Sequence, residues 1–230
     1  MSRPLLVIRP EPGNRATLSR ARALGLEAIG LPLFEARARD WVQPYSVFDA
    51  LLITSAAAIR LARTVLGAVR ALPVWAVGEP SATAAREAGF TVERTGTAGV
   101  AELLADAPPA RLLHLCGADR IAPPDAYRGT ITAVPVYESV ALEPVAALME
   151  ALRAAPVILL HSPRAARHLA ALVDQCGMDR GAIALVAISA ATADAAGSGW
   201  EKLAIAGQTS DEAMLDAARL WCGAQPETSK

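Results

Sequence analysis

Three segments of this chain recur in the same order roughly a hundred residues later, and self-similarity at that spacing points to two bodies built on one plan. LLITSAAAIRLA (51–62) lines up with ILLHSPRAARHLA (158–170), setting Ser162 opposite Ser55 at an offset of 107. VWAVGEPSATAAREAGF (74–90) lines up with LVAISAATADAAGSGW (185–200), with Thr192 opposite Ser81 at an offset of 111. IGLPLFEARA (29–38) lines up with TAVPVYESVA (132–141), with Tyr137 opposite Phe34 at an offset of 103. The offsets differ only by small changes in loop length.

Within each copy, short apolar runs are followed by a small or polar residue and then an alanine-rich amphipathic stretch, the β-then-α alternation of a parallel sheet. The clearest strand candidates are 5–8, 50–53, 74–77, 112–115, 157–160 and 185–188. Their runs are continuous rather than alternating, which suits strands covered by helices on both faces. The expected fold is α/β, with two parallel-sheet, flavodoxin-like lobes related by internal duplication. Pro32-Leu33-Phe34-Glu35 ends the first strand–helix–strand unit, and a second set starts at Asp49. Pro135-Val136-Tyr137-Glu138 closes that set and leads into a final one from about Pro144. The chain is therefore expected to leave lobe one, build lobe two and return. Lobe one would comprise 1–36 and 142–230, and lobe two 40–137, with connectors near 33–44 and 134–143. Proline in both crossing segments suits edge or linker strands rather than a central one.

Composition narrows the function classes. Hydrophobic residues make up 53% and charged residues 20%, as in a packed globular protein and unlike a disordered one. A mean hydropathy of +0.31 raises the question of a membrane. The longest uncharged apolar stretch, Gly181 to Ala193, is too short to span a bilayer, and the N-terminal sequence lacks a secretory signal. A cytoplasmic protein is expected. Twenty-two basic against 23 acidic residues give a net charge of −1, which argues against nucleic acid as a partner. Cys116, Cys176 and Cys222 are widely spaced and read as reduced thiols. His114, His161 and His168 follow no ligand pattern, so a metal site is not expected.

Ligands of open parallel sheets sit beyond the carboxyl ends of the strands. Hydroxyls stand there four times: Ser55, Ser81, Ser162 and Thr192. Singly, each reads as a helix N-cap. Together they suggest anion binding, since each helix N-terminus offers free N–H groups and roughly 0.3–1 kcal/mol towards a negative charge. The phosphate loops GxxxxGK[ST] and GxGxxG and the GxSxG elbow are all missing. Thr209-Ser210-Asp211-Glu212 has the spacing of a capping box and reads as a helix start. Arg9 ends the first strand where other strands run into small or polar residues. Tyr137 carries a hydroxyl that its repeat partner Phe34 lacks. Packing thus accounts for the shared ring, and the unshared hydroxyl is either bonded to backbone or free for a polar task.

Taken in order, LLVIRPEPGNRATLSRARALGLEAIGLPLFE, FDALLITSAAAI, VWAVGEPSATAAREAGF, LLHLCGADR, VPVYESV, VILLHSPRAA, LVAISAATADA and GQTSDEAMLDA resemble the uroporphyrinogen-III synthase family nearly end to end. The resemblance implies two α/β lobes joined by a two-stranded connector, with the active site in the cleft between them. It implies a monomeric lyase without cofactor or metal. Hydroxymethylbilane would lose its terminal hydroxyl as water, and its last pyrrole ring would close in inverted orientation through a spirocyclic intermediate. Tyr137 matches the tyrosine of the family's second connector strand and is the candidate acid. Ser55, Ser81, Ser162 and Thr192 match the hydroxyls after the family's strands and are candidate carboxylate binders; Arg9 matches the arginine ending its first strand and Arg120 the arginine of a following loop, and all six are candidate substrate-binding residues. Cys116 stands where an arginine is frequent, and Ser189 where glycine is usual. A reading from another class is an intracellular two-lobed binding or sensory module for a small polyanion, which would have no use for a proton donor.

Overall fold

Unbroken runs of leucine, isoleucine, valine and alanine favour strands with both faces covered. In the computed structural model, which describes residues 3–62, 66–120 and 126–222, every such run predicted above lies in a strand, to within a residue at its end. In chain order the strands are β1 (Leu5–Val7), β2 (Ala28–Gly30), β3 (Phe34–Ala38), β4 (Ala50–Ile53), β5 (Val74–Ala76), β6 (Val92–Thr95), β7 (Arg111–Gly117), β8 (Thr130–Ala141), β9 (Val157–Leu160), β10 (Ala184–Ala187) and β11 (Lys202–Ile205). The helices are α1 (Gly13–Ala23), α2 (Ala56–Leu61), α3 (Leu66–Val69), α4 (Glu79–Glu87), α5 (Val100–Ala105), α6 (Val145–Leu152), α7 (Pro163–Gln175), α8 (Ala190–Ala196) and α9 (Asp211–Cys222). Among the described residues, none is long and apolar enough to cross a membrane.

The chain divides into two units, one made of the residues up to Glu35 and those from Ala141 onward, the other of Ala36–Val140. It passes from the first to the second along β3 and returns along β8. The first unit holds a five-stranded sheet in the order β2-β1-β9-β10-β11, with every neighbouring pair parallel. Numbered within its own unit, that is the 2-1-3-4-5 order of flavodoxin-like folds. The second unit's sheet runs β3-β8-β7-β4-β5-β6, with β8 to β6 all parallel. At its edge the Arg39 N–H donates to Val136 O, and the Leu142 N–H donates to Leu33 O. Residue numbers fall on one strand as they rise on the other, so β3 joins β8 antiparallel.

In space, β8-β7-β4-β5-β6 follows the same plan as β2-β1-β9-β10-β11, and the registers repeat at the sequence offsets. Leu51 pairs with Val74 as Ile158 pairs with Leu185, each residue displaced by its own offset of 107 or 111. Leu112 pairs with Ile131 as Leu5 pairs with Ala28, at 107 and 103. A one-residue slip would swap the faces of a strand, so agreement in register at both seams is a stringent signature of duplication.

Burial follows the alternation of side chains across each sheet. In the first unit Leu6, Ile8, Ile158, Leu160 and Leu185 pack under α6, α7 and α8. Leu5, Val7, Val157, Leu159 and Val186 pack under α1 and α9. In the second unit Leu51, Ile53, Leu113 and Leu115 face α2, α3 and α4, while Leu52, Trp75 and Leu112 face α5. Pro135 is an exception to its expected place, because β8 is second from the edge and not itself an edge strand. The ladder accommodates it by a bulge: Cys116 pairs with Pro135, the next rung joins Gly117 to Tyr137, and Val136 is skipped. Proline has no N–H to lose there, and an extra residue in the ladder re-aims the side chain that follows.

Ile158 is fully buried at the centre of its sheet. Ile158→Ala should lower the unfolding free energy by about 2–5 kcal/mol and Ile158→Val by about 0.5–1.5 kcal/mol, read from urea denaturation.

Candidate active site

A sheet covered on both faces presents ligands only with its strand ends. The crevice lies where successive connections leave in opposite directions. In the first unit that point is between β1 and β9, and in the second between β7 and β4. Arg9 and Ser162 follow β1 and β9, and Arg120 and Ser55 follow β7 and β4, whereas Ser81 and Thr192 follow β5 and β10 and Tyr137 lies within β8.

In the first unit, Arg9 stands two residues past the end of β1. Its guanidinium lies over Gly13, where an added Cβ would come within 2.7 Å of Arg9 Cζ. Arg9 Nη1 donates to Thr17 Oγ1 and to Asp211 Oδ1, both at 3.4 Å. Asp211, the first residue of α9, is the hub here, with a side chain only 9% exposed. Its Oδ1 also takes the Thr17 hydroxyl and pairs with His161 Nε2, each at 2.8 Å, and its Oδ2 takes Arg20 Nη1 at 2.8 Å. Burial alone would raise the Asp211 pKa, but hydrogen bonds from His161, Thr17 and Arg20, with the charge of His161, bring it down to about 2. Neither Asp211 nor His161 stood out as a site residue in the sequence. The stretch 209–212 does start a helix, with Ser210 Oγ accepting the Ala213 N–H. No local motif links position 161 to position 211, and the only signal was a histidine directly after a strand.

In the second unit, the bulge brings Tyr137 beside Gly117. The ring rests on the bare glycine, whose Cβ, if present, would sit 2.9 Å from Tyr137 Cζ. The Ala118 N–H donates to Tyr137 O and fixes the backbone below the ring. The phenol hydroxyl has no hydrogen-bond partner among the described residues. Its repeat partner Phe34 is buried, with His168 5.2 Å from its ring centroid and Arg164 4.7 Å from it. On β7, His114 is buried with Nε2 3.0 Å from Thr54 Oγ1 and Nδ1 unpartnered. Burial, reinforced by the positive charge of Arg120, pushes its pKa down to about 4. Arg120 itself is exposed, with no hydrogen bond or ion pair among the described residues.

The four hydroxyls separate into two kinds. Ser55 and Ser162 are caps, accepting the N–H of Ala57 and of Ala165 respectively, each at 3.2 Å. Ser81 and Thr192 are not. The caps of their helices are Gly78 and Ser189, and both hydroxyls lie in the third helical position, 5% and 0% exposed. Each helix begins two residues before the hydroxyl, since Gly78 and Ser189 already hold the extended backbone of a cap. Ser189 thereby fills the place that Gly78 holds in the other unit, and its Oγ lies 3.1 Å from Thr192 Oγ1.

The family model described as uroporphyrinogen-III synthase HemD matches residues 16–216. Comparison with curated protein sequences finds no significant match. Among solved structures, the chain is similar to uroporphyrinogen-III synthetase from Helicobacter pylori 26695 at 18% identity and a TM-score of 0.64, covering 94% of this chain and 98% of that one. It is also matched by a Thermus thermophilus uroporphyrinogen III synthase at 18% identity and a TM-score of 0.40, covering 93% and 97%.

The buried histidine sets an acid limit on stability. His114 is neutral in the folded chain down to about pH 4, whereas an unfolded histidine takes up its proton near 6.5. Between those values the unfolded state binds more protons, so acidification should cost stability, by roughly 3 kcal/mol across the window for this group. His114→Gln should flatten the dependence of unfolding free energy on pH between 6.5 and 4. The further loss from Asp211, expected below pH 3.8 as its folded value of about 2 is approached, should remain.

Proposed function

The chain belongs to the uroporphyrinogen-III synthase family, and from that premise we propose that Tyr137 protonates the departing hydroxyl of hydroxymethylbilane while strand-end groups of both units hold its carboxylates. The family's enzymes are cyclising lyases of haem biosynthesis. Membership favours this reading over a sensory module for a small polyanion, because such a module needs binding groups but no acid.

One observation carries the assignment of Tyr137: its hydroxyl is committed to no partner among the described residues, while its ring is held against Gly117. Pro135, the bulge and Gly117 together aim the phenol at the end of β7. An O–H there can donate to the terminal hydroxyl of the substrate. As the C–O bond breaks and water leaves, the electron-rich pyrrole next to that carbon stabilises the cation. The substituted carbon of the last ring then attacks, giving the spirocyclic intermediate from which that ring emerges inverted. A positioned acid contributes roughly 10²–10⁴-fold. The remainder is orientation, since the linear substrate left to itself closes without inversion.

Holding the substrate in a curl falls to the remaining candidates. Arg9 and the amides at the start of α7, capped by Ser162, are proposed to take carboxylates in the first unit. In the second unit Arg120 and the start of α2, capped by Ser55, are proposed for the same task. Ser81 and Thr192, with little or no exposed surface, contribute through the first helical turns they brace. The proposal includes a monomeric enzyme acting in the cytoplasm, which sedimentation of the purified protein and cell fractionation would check.

The test incubates the protein with freshly made hydroxymethylbilane and resolves the porphyrin isomers after oxidation. The inverted isomer, formed faster than spontaneous closure, is the expected product. The uninverted isomer alone, at the spontaneous rate, would refute the synthase. Tyr137→Phe should lower turnover by about 10²-fold or more with product still bound. Unchanged turnover would remove Tyr137 from the chemistry and leave a synthase that works by positioning.

A further inference from the structure

The first unit's strand-end cluster is built more elaborately than a simple arginine on a loop requires. Asn14 is buried and donates from Nδ2 to Val7 O at 2.7 Å, tying the start of α1 to the end of β1. That tie brings Gly13 under the Arg9 guanidinium, where only a residue without a Cβ leaves room. Asp211 then engages a single nitrogen of the guanidinium, Nη1. The other two, Nε and Nη2, form no hydrogen bond among the described residues, and the side chain is 32% exposed. An arginine held by one nitrogen over a flat support, with the rest of its fork uncommitted, is pre-organised for a carboxylate.

The charges agree with that use. Asp211 is already neutralised by Arg20 at Oδ2. Glu212, the other acid on Arg20, is largely in solvent, where its field is screened. Arg9, Arg20 and Asp211 therefore leave one positive charge at the strand end, on Arg9. His161 and Thr17, both bonded to Asp211 Oδ1, keep the carboxylate from turning to form a two-pronged pair with Arg9. Such a pair would consume the donors a ligand needs.

We infer that Asp211 is a positioning residue, which orients Arg9 over Gly13 so that its free nitrogens receive one carboxylate of the tetrapyrrole. This deepens the proposed function and rests on it. Asp211 acts through Arg9, touches no substrate, and takes no part in the chemistry.

The experiment is a double-mutant cycle read by equilibrium binding of uroporphyrin III, the oxidised cyclic octacarboxylate, to the whole protein, with KM and kcat measured in parallel. Arg9→Gln should weaken binding about tenfold, and Asp211→Asn several-fold, with the loss in KM rather than kcat. In the Arg9→Gln background, Asp211→Asn should have no further effect on binding. Gly13→Ala provides a variant that keeps the Asp211 network. It should weaken binding several-fold when Arg9 is present and not at all when Arg9 is Gln, with its thermal unfolding midpoint unchanged. Losses that multiply in the double variants would overturn the inference, as would full affinity in either single variant. An affinity loss matched by an equal fall in folded fraction would also overturn it. A wild-type protein that binds no uroporphyrin would overturn the proposed function along with it, whereas tight wild-type binding insensitive to Asp211→Asn and Gly13→Ala would overturn only the inference.

Discussion

Each central strand of the two sheets satisfies its backbone against neighbours on either side and buries its side chains against helices above and below. Leu51, Leu52, Ile158 and Leu159 have no accessible surface at all. This double burial is the constraint from which the rest follows. It forces continuous apolar runs, it excludes charge from the buried positions of the central strands, and it leaves strand ends as the place where polar groups can meet a ligand. Arg9, Ser55, Gly117, His161 and Ser162 stand within two residues of a strand end for that reason, or close the strand itself.

Duplication supplied the same scaffold twice, and the two copies have been furnished differently. The register that sets Leu5 against Leu112 also sets Arg9 against Cys116 and His161 against Thr54. One strand end thus carries an arginine and a histidine gathered on Asp211, and the other a cysteine, a threonine and the buried His114. The aromatic at offset 103 diverged as well. Phe34 is enclosed by its own unit, while Tyr137 is lifted onto Gly117 by the bulge after Pro135. Equivalent backbone has been used for charge in one copy and for a free hydroxyl in the other.

Much of this was legible because it is encoded locally. Apolar runs of four marked the central strands, and the recurring LLITS and ILLHS segments marked equivalent places in the two units. Edge elements were harder: β6 (VERT) and β11 (KLAI) carry polar or charged residues among the apolar ones, since an edge strand is only partly covered. The capping hydroxyls were half right. A serine directly after a strand caps its helix, but Ser81 and Thr192 lie one turn deeper, where Gly78 and Ser189 have already started the helix. Sequence could not separate a cap from a third-position residue, because both place a hydroxyl near the start of an alanine-rich stretch.

What the sequence determined by itself was the plan: segments that recur, parallel strands, and the family to which that order of motifs is similar. These properties reside in spacing and hydrophobic pattern, which survive any rearrangement of side chains. Tertiary structure alone decided which polar groups act together. Asp211 is 50 residues from His161 and 202 from Arg9 in sequence, and only the parallel pairing of β1 with β9 under α9 brings the three within hydrogen-bonding distance. A carboxylate read as part of a helix cap became the centre of a charge network because strand order, not sequence distance, sets who its neighbours are.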